Sequence, residues 1–194
     1  MRDAPFGFVY HDPWRVFALA AETARTTHGH PSASSSSGAL ATIIMFLAQG
    51  RPLLEAVKQT LSLLKTMPDA HEVQDALGHA LRLSETADWR ERLPDLGGGW
   101  VAEEALAISV LCALAADNSR EAIIAAVNHS GDSDSTGSIT GNLVGTWYGL
   151  AALPNEWVEQ VELRDVIEIL GRDLAIVLEG EFDSDMLWER YPGW

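Results

Sequence analysis

Apolar residues recur along this chain at intervals of three and four, and nowhere do they alternate over the length of a strand. That pattern argues against a sheet and for helices that each bury one face. Trp14, Phe17, Ala18, Ala21 and Ala24 set out the first face. Asp12-Pro13 opens it, an N-cap with proline at the first helical position, and the helix is expected to run to about His28. Gly29-His30-Pro31 breaks the chain. Residues 32–38, mostly serine, have the composition of a linker, but they run directly into the apolar stretch 39–48. They read instead as the small-residue head of an apolar helix, where a backbone or a ligand can approach closely. Gly50 closes that helix and Pro52 opens the next, with Leu53, Leu54, Val57, Leu61 and Leu64 on its inner face. Val73, Ala76, Leu77, Ala80 and Leu83 mark a fourth. A strongly apolar helix follows over 101–116 and carries Glu103 and Glu104. Ser119 is expected to cap the next, with Ile123, Ile124 and Val127 inside. Beyond Asn142 come helices over 154–161 and 163–178 and a Trp-bearing tail to Trp194. No internal repeat is visible. The expectation is a single all-α bundle occupying residues 1–194.

Composition narrows the partners. The chain has 194 residues, enough for one sizeable core, and 47% of them are hydrophobic against 21% charged, which marks a globular protein. With 13 Lys and Arg against 28 Asp and Glu, the formal net charge is −15. Such a surface repels phosphate backbones, so nonspecific nucleic-acid or anionic-membrane binding is not expected. A nucleotide would need a local cation or helix N-termini to bind. The one cysteine, Cys112, sits in an apolar run, reads as a small buried hydrophobe, and permits no internal disulfide. The start lacks the apolar core of a signal peptide, and no apolar run reads as long enough to span a bilayer. The expected compartment is the cytoplasm. The first residues, Met1 to Tyr10, are apolar and punctuated by Pro5 and Gly7 from the outset, and read as though something precedes them.

The chemistry concentrates in residues 129–142, where two acids, several hydroxyls and three glycines stand between apolar helical stretches. Asp132 and Asp134 are two apart, with Ser135 beside the second. These are hard oxygen donors converging at a helix start, suited to Mg²⁺, Mn²⁺ or Ca²⁺. An EF-hand fits Asp132, Asp134, Thr136 and Gly137 but would require an acid where Leu143 stands. A phosphatase-type Asp-x-Asp pair would require a buried strand before the first Asp, in an α/β setting. An N-capping turn accounts for one acid, but not for two acids with the hydroxyls and glycines. A metal-binding turn at the head of a long helix fits best. Gly137, Gly141, Gly145 and Gly149 then recur every four residues. Each glycine in a helix interior costs about 0.5–1 kcal/mol relative to alanine, so the stripe suggests another helix or a ligand lying against this backbone. The three glycines 97–99 mark a loop shaped by function or close packing.

Other residues have two readings each. His28 is a helix-end histidine or a ligand contact. His30 and His129 are each solvated or support a site residue from behind, and His129 lies next to the acids. Glu103 and Glu104 are carboxylates for catalysis or acids favouring a helix N-terminus. Asn142 bonds a ligand or the backbone. The seven Trp residues, Trp188 and Trp194 included, read as packing, with Trp147 and Tyr148 placed to shape a ring pocket.

Gly131-Asp132-Ser133-Asp134-Ser135, followed by Gly141-Asn142-Leu143-Val144-Gly145 and Leu153-Pro154, resembles the C-terminal motif of the ADP-ribosylglycohydrolases, the dinitrogenase-reductase-activating and ADP-ribosyl-acceptor hydrolases. Gly98 to Leu106 is similar to the lead-in to that motif, Met1-Arg2-Asp3-Ala4-Pro5 to the family's Met-Arg-x-x-Pro segment, and Thr27-His28 to its Thr-His pair. The resemblance covers nearly the whole chain. It implies an all-α, single multi-helix bundle and a centre of two Mg²⁺ or Mn²⁺ ions. It also implies hydrolysis of the N- or O-glycosidic bond of ADP-ribosyl groups on a protein or small molecule. Asp132, Asp134 and Ser135 take the places of metal ligands, and His28, Gly131 and Asn142 of substrate-binding residues.

The departures bear on activity. The family's Gly-Asp-x-x-Gly motif, its catalytic acid, its Thr/Ser-Asp-Asp cluster and the Gly-Asn-Gly loop before Met-Arg are absent from these residues. The resemblance therefore implies an N-terminally truncated bundle holding at most half of a binuclear site, with no catalytic residue assigned. The alternative is a catalytically inactive homologue acting as an ADP-ribose-binding or interaction domain. Apolar surface left uncovered by a missing portion favours self-association.

Overall fold

Two helices without a polar face hold the first 153 residues together. In the computed structural model, which describes residues 1–180 and 183–193, α2 (Pro31–Ala48) buries 15 of its 18 residues, and α5 (Ala102–Ala115) buries nine in an unbroken run from Ala105 to Ala113. A helix apolar all round must be enclosed. The amphipathic helices α1 (Pro13–Arg25) and α3 (Leu53–Leu64) pack on α2, and α4 (His71–Leu83) and α6 (Ser119–Val127) on α5. The last helix of this group, α7 (Ser133–Tyr148), packs on α2, α5 and α6. No strand occurs among the described residues, so the architecture is all-α, as the periodicity predicts.

The junctions explain where boundaries fall. Asp12 Oδ1 accepts from the Trp14 amide at 2.9 Å, the expected cap of α1. The helix stops at Arg25, three residues short of His28. There the Thr26 and Thr27 hydroxyls bond back to the carbonyls of Thr23 and Ala24 and peel off the last turn. The serine stretch lies inside α2, whose N-cap is His30. Gly38 lets α2 meet the Phe17 ring, since a Cβ there would stand 2.6 Å from it. By length and composition α2 could cross a membrane, contrary to the sequence expectation, but 83% of that stretch is buried inside the fold as core.

Three sequence expectations are corrected. The cap of α6 is Asn118, whose Oδ1 accepts from the Glu121 amide at 3.0 Å, while the Ser119 hydroxyl donates to the Ala152 carbonyl. The glycine stripe of α7 is not a continuous contact. Gly137 abuts Val127, but Gly141 and Gly145 have nothing within 4 Å of an added Cβ, and Gly149, at φ +79°, ends the helix. The tryptophans are not uniformly packing residues. Trp89 is buried and Trp147 stacks on Tyr148 with ring centroids 4.4 Å apart, but Trp100 is 73% and Trp188 65% exposed. Trp194 lies outside the described residues. Cys112 is fully buried, and burial pushes its thiol up to about 12, so it is an inert core residue.

Residues 154–194 form a separate compact unit of α8 (Asn155–Gln160), α9 (Arg164–Glu179) and α10 (Ser184–Arg190). Much of the expected tail is thus helical, and a polar clamp ties α10 to α9. Arg190 donates through Nη1 to both carboxylate oxygens of Asp173, at 2.6 and 2.5 Å, and the Tyr191 hydroxyl donates to Oδ2 at 2.7 Å. The Arg190 bonds, then the Tyr191 bond, hold the Asp173 carboxyl below its ordinary 3.8. A depressed carboxyl stabilises above its unfolded value, and that contribution is lost as pH falls through the folded value. Asp173→Asn should therefore speed amide exchange in α10 at pH 6, with the gap to wild type closing as pH drops below about 4. An equal gap at all pH values would sever the clamp from the titration.

Candidate functional site

The acidic turn begins with a glycine pressed against a second glycine loop. A Cβ on Gly131 would stand 1.8 Å from the Gly98 carbonyl oxygen, and that same oxygen accepts from the Asp132 amide at 2.8 Å. Gly97 and Gly99 adopt φ +96° and +76°, which L side chains rarely tolerate, so the glycine run is a turn built for this approach. Glu104 holds the turn from inside. Its Oε2 accepts from the amides of Gly98 and Gly99 at 3.1 and 3.0 Å. The carboxylate thus braces the loop that sets the height of Asp132, a role that neither sequence reading of Glu104 contained.

Behind the turn, His129 and Thr136 form the support. The buried Thr136 hydroxyl lies 2.7 Å from the Ala126 carbonyl and 3.0 Å from that of Asp132. His129 Nε2 lies 2.9 Å from the same hydroxyl, and its Nδ1 accepts from the Gly131 amide at 3.2 Å. His129 therefore steadies the backbone of the acidic turn, the supporting role the sequence allowed.

Asp132 sits at the N-cap position of α7 but makes no side-chain cap bond, so its carboxylate is not used by the helix end. Asp134, exposed, accepts from the Ser135 amide at 2.9 Å. Its carboxyl is held below the ordinary value first by a hydrogen bond with the Asp132 carboxyl and then by that amide. Asp132, Asp134 and Ser135 thus bring hard oxygen donors to the first turn of one helix. The capping explanation thus accounts for neither side chain fully.

Asp132 and Ser135 open onto a cavity of about 890 Å³ that His28 also lines. The residues at three helix starts face it: those of α2 around His30 and Ser32, of α5 around Val101 and Ala102, and of α7 at Asp132 and Ser135. Arg2, also in the lining, donates to the Thr23 carbonyl and to the Thr26 and Thr27 hydroxyls, at 3.0 to 3.3 Å. Thr27 Oγ1 in turn lies 2.8 Å from His28 Nδ1, fixing the imidazole. Of the other residues singled out from sequence, Gly131 is packed under the Gly98 carbonyl. Asn142 and Asp134 are not among the lining side chains. Among the described residues, no three His, Cys, Asp or Glu side chains come together as a metal-binding group. Of the three residues singled out as metal ligands, Asp132 and Ser135 line the cavity together and Asp134 does not.

Comparison with known families matches residues 1–184 to ADP-ribosylglycohydrolase. An ADP-ribosylarginine hydrolase of Pseudomonas putida is 38% identical over 58 residues, 30% of this chain and 16% of that protein. An uncharacterised protein of Archaeoglobus fulgidus is 27% identical over 175 residues, 90% of this chain and 56% of it. The ADP-ribosyl-dinitrogen reductase glycohydrolase of Rhodospirillum rubrum is 32% identical over 65 residues, 33% of this chain and 22% of it. The chain thus spans about half the length, or less, of these relatives.

Proposed function

The chain belongs to the ADP-ribosylglycohydrolase family, and from that premise we propose that its cavity binds an ADP-ribosyl group and serves hydrolysis of the N- or O-glycosidic bond joining it to a protein or small-molecule acceptor. The observation that carries the reading is the Asp132 carboxylate, which occupies an N-cap without capping and faces a cavity beside Ser135. A helix end that leaves its acid unused frees that acid for a ligand. Asp132, Asp134 and Ser135 would hold a Mg²⁺ or Mn²⁺ ion as one wall of the site. Such an ion would supply charge to an oxocarbenium-like transition state and orient a water.

The remaining parts suit the nucleotide. Backbone amides at the three helix starts favour a diphosphate, which the net charge of −15 would otherwise repel. His28, fixed through Thr27 and Arg2, adds a ring to the lining of the same cavity. Relatives bearing ADP-ribosyl hydrolase names support the substrate class.

The test is calorimetric titration of Mn²⁺ and of ADP-ribose into the wild type, Asp132→Ala and Asp134→Ala. The wild type should bind both, and each variant should lose roughly tenfold or more in Mn²⁺ affinity, having lost one of few charged ligands. ADP-ribose binding without Mn²⁺ binding would favour a non-catalytic ADP-ribose-binding domain. A wild type that binds neither would sink the proposal.

A further inference from the structure

Helix α9 inverts the usual order of a surface helix. Among the described residues it buries only Asp173, while its apolar face is uncovered. Leu163, Val166, Ile167, Leu170 and Val177 are 38 to 66% exposed, and Trp188 of α10 is 65% exposed. Apolar residues scattered singly over a surface need no explanation, but these are not scattered. Leu163, Ile167, Leu170, Leu174 and Val177 follow at intervals of four, three, four and three. That is the spacing of a coiled-coil seam, a stripe that asks for a second helix along its length.

The charges respect the seam. Asp165, Arg172 and Glu179 are seven apart and fall on the opposite face. Asp173 borders the seam, but the Arg190 guanidinium and the Tyr191 hydroxyl occupy its carboxylate. Leu170, Leu174 and Val177 share a groove of about 490 Å³ with Leu187 and Trp188 of α10, and the Asp173 clamp fixes its two walls. Apolar side chains of a further helix can enter there.

A second copy of this chain offers a matching surface. Its seam has the same spacing, and a two-fold pairing sets one seam against the other. The six exposed side chains offer on the order of 600 Å² per copy, so pairing removes on the order of 1,200 Å² in all, where stable specific interfaces begin. Residues 154–194 carry eleven Asp and Glu against three Arg, an excess that opposes a second copy. On α9, however, the charges other than the clamped Asp173 face away from the seam, where solvent and salt screen them.

We propose that α9, with α10 beside it, is a self-association surface on which two copies of this chain pair through the seam from Leu163 to Val177. The pairing uses neither the cavity nor its ligand, so it stands apart from the function proposed above.

Sedimentation velocity of the full chain from about 1 to 100 μM tests it. The wild type should reach twice the 21.1 kDa chain mass within that range, and added salt should tighten the pair by screening the acidic excess. Ile167→Glu and Leu170→Glu should each weaken pairing at least tenfold by placing a charge in the seam. Ala175→Glu adds the same charge to the exposed opposite face and should leave pairing unchanged. Both seam residues are exposed in the single chain, so circular dichroism of the variants should match the wild type. Leu170→Ala, which adds no charge, should still weaken pairing. A wild type that stays monomeric throughout the range overturns the proposal, as does a dimer that the seam variants leave intact. A dimer that Ala175→Glu weakens equally, or that salt dissolves, overturns it too, because charge rather than the seam then governs pairing.

Discussion

Gly131→Ala should be among the most damaging single-methyl additions available in this fold. The added Cβ would lie 1.8 Å from the Gly98 oxygen, a backbone atom that cannot swing aside as a side chain would. Relief requires the loop at 97–99 to withdraw, which breaks the 2.8 Å bond from the Asp132 amide and strains the two amide bonds to Glu104. Losing one neutral bond and weakening two bonds to a charged acceptor amounts to about 3 kcal/mol. At a few degrees per kcal/mol for a protein of this size, melting should fall by roughly 6–12 °C. Gly141→Ala, ten residues on, supplies the control. Nothing lies within 4 Å of its added Cβ, and it sits inside α7, so it should stabilise by about 0.5–1 kcal/mol. Equal melting temperatures for the two variants would refute the packing of the glycine turn on the acidic one.

Glu104→Ala attacks the same contact from the other side. Two amides of the glycine loop lose their shared acceptor, and bonds to a charged group are worth about 1.5–3 kcal/mol. A drop of about 2 kcal/mol is expected in chemical denaturation, with Glu104→Gln recovering most of it because an amide oxygen can still accept. The two losses should not add, because each removes what the other supports. A double variant carrying Gly131→Ala and Glu104→Ala should thus be less unstable than the summed singles. Full additivity would mean that Glu104 and Gly131 act independently.

Much of the fold could be read from residue order. The helical periodicity of Trp14 to Ala24, the Asp12 cap and the Pro52 and Gly50 boundaries are local signals, and local geometry decides them. The acidic turn was legible because two acids beside a serine exceed what a helix start requires. What escaped depends on distant partners. Asp3 is buried through a contact with Ser37, 34 residues away, which no spacing rule reaches. The role of Glu104 depends on where a flexible glycine run folds back, and glycine encodes permission rather than direction. The stripe at Gly137 to Gly149 was read as the contact of a helix or a ligand, and a neighbouring helix meets it only at Gly137. Helical spacing places residues on a face, but only a neighbour makes that face a contact, and past Gly137 none is within reach. The serine run at the head of α2 did signal close approach, realised at Gly38 against Phe17.

Three helix starts open on one cavity inside a chain of net charge −15. Each helix end acts as roughly half a positive charge, felt within about one turn, whereas the repulsion of the acidic exterior extends over a Debye length. An anionic ligand therefore meets a barrier at long range, and at short range the helix starts must outweigh the Asp3, Glu72, Glu103 and Asp132 carboxylates that line the same cavity. Added salt would thin the barrier more than it weakens the pocket, so association with this cavity would quicken with ionic strength, the reverse of what surface-exposed phosphate binders do.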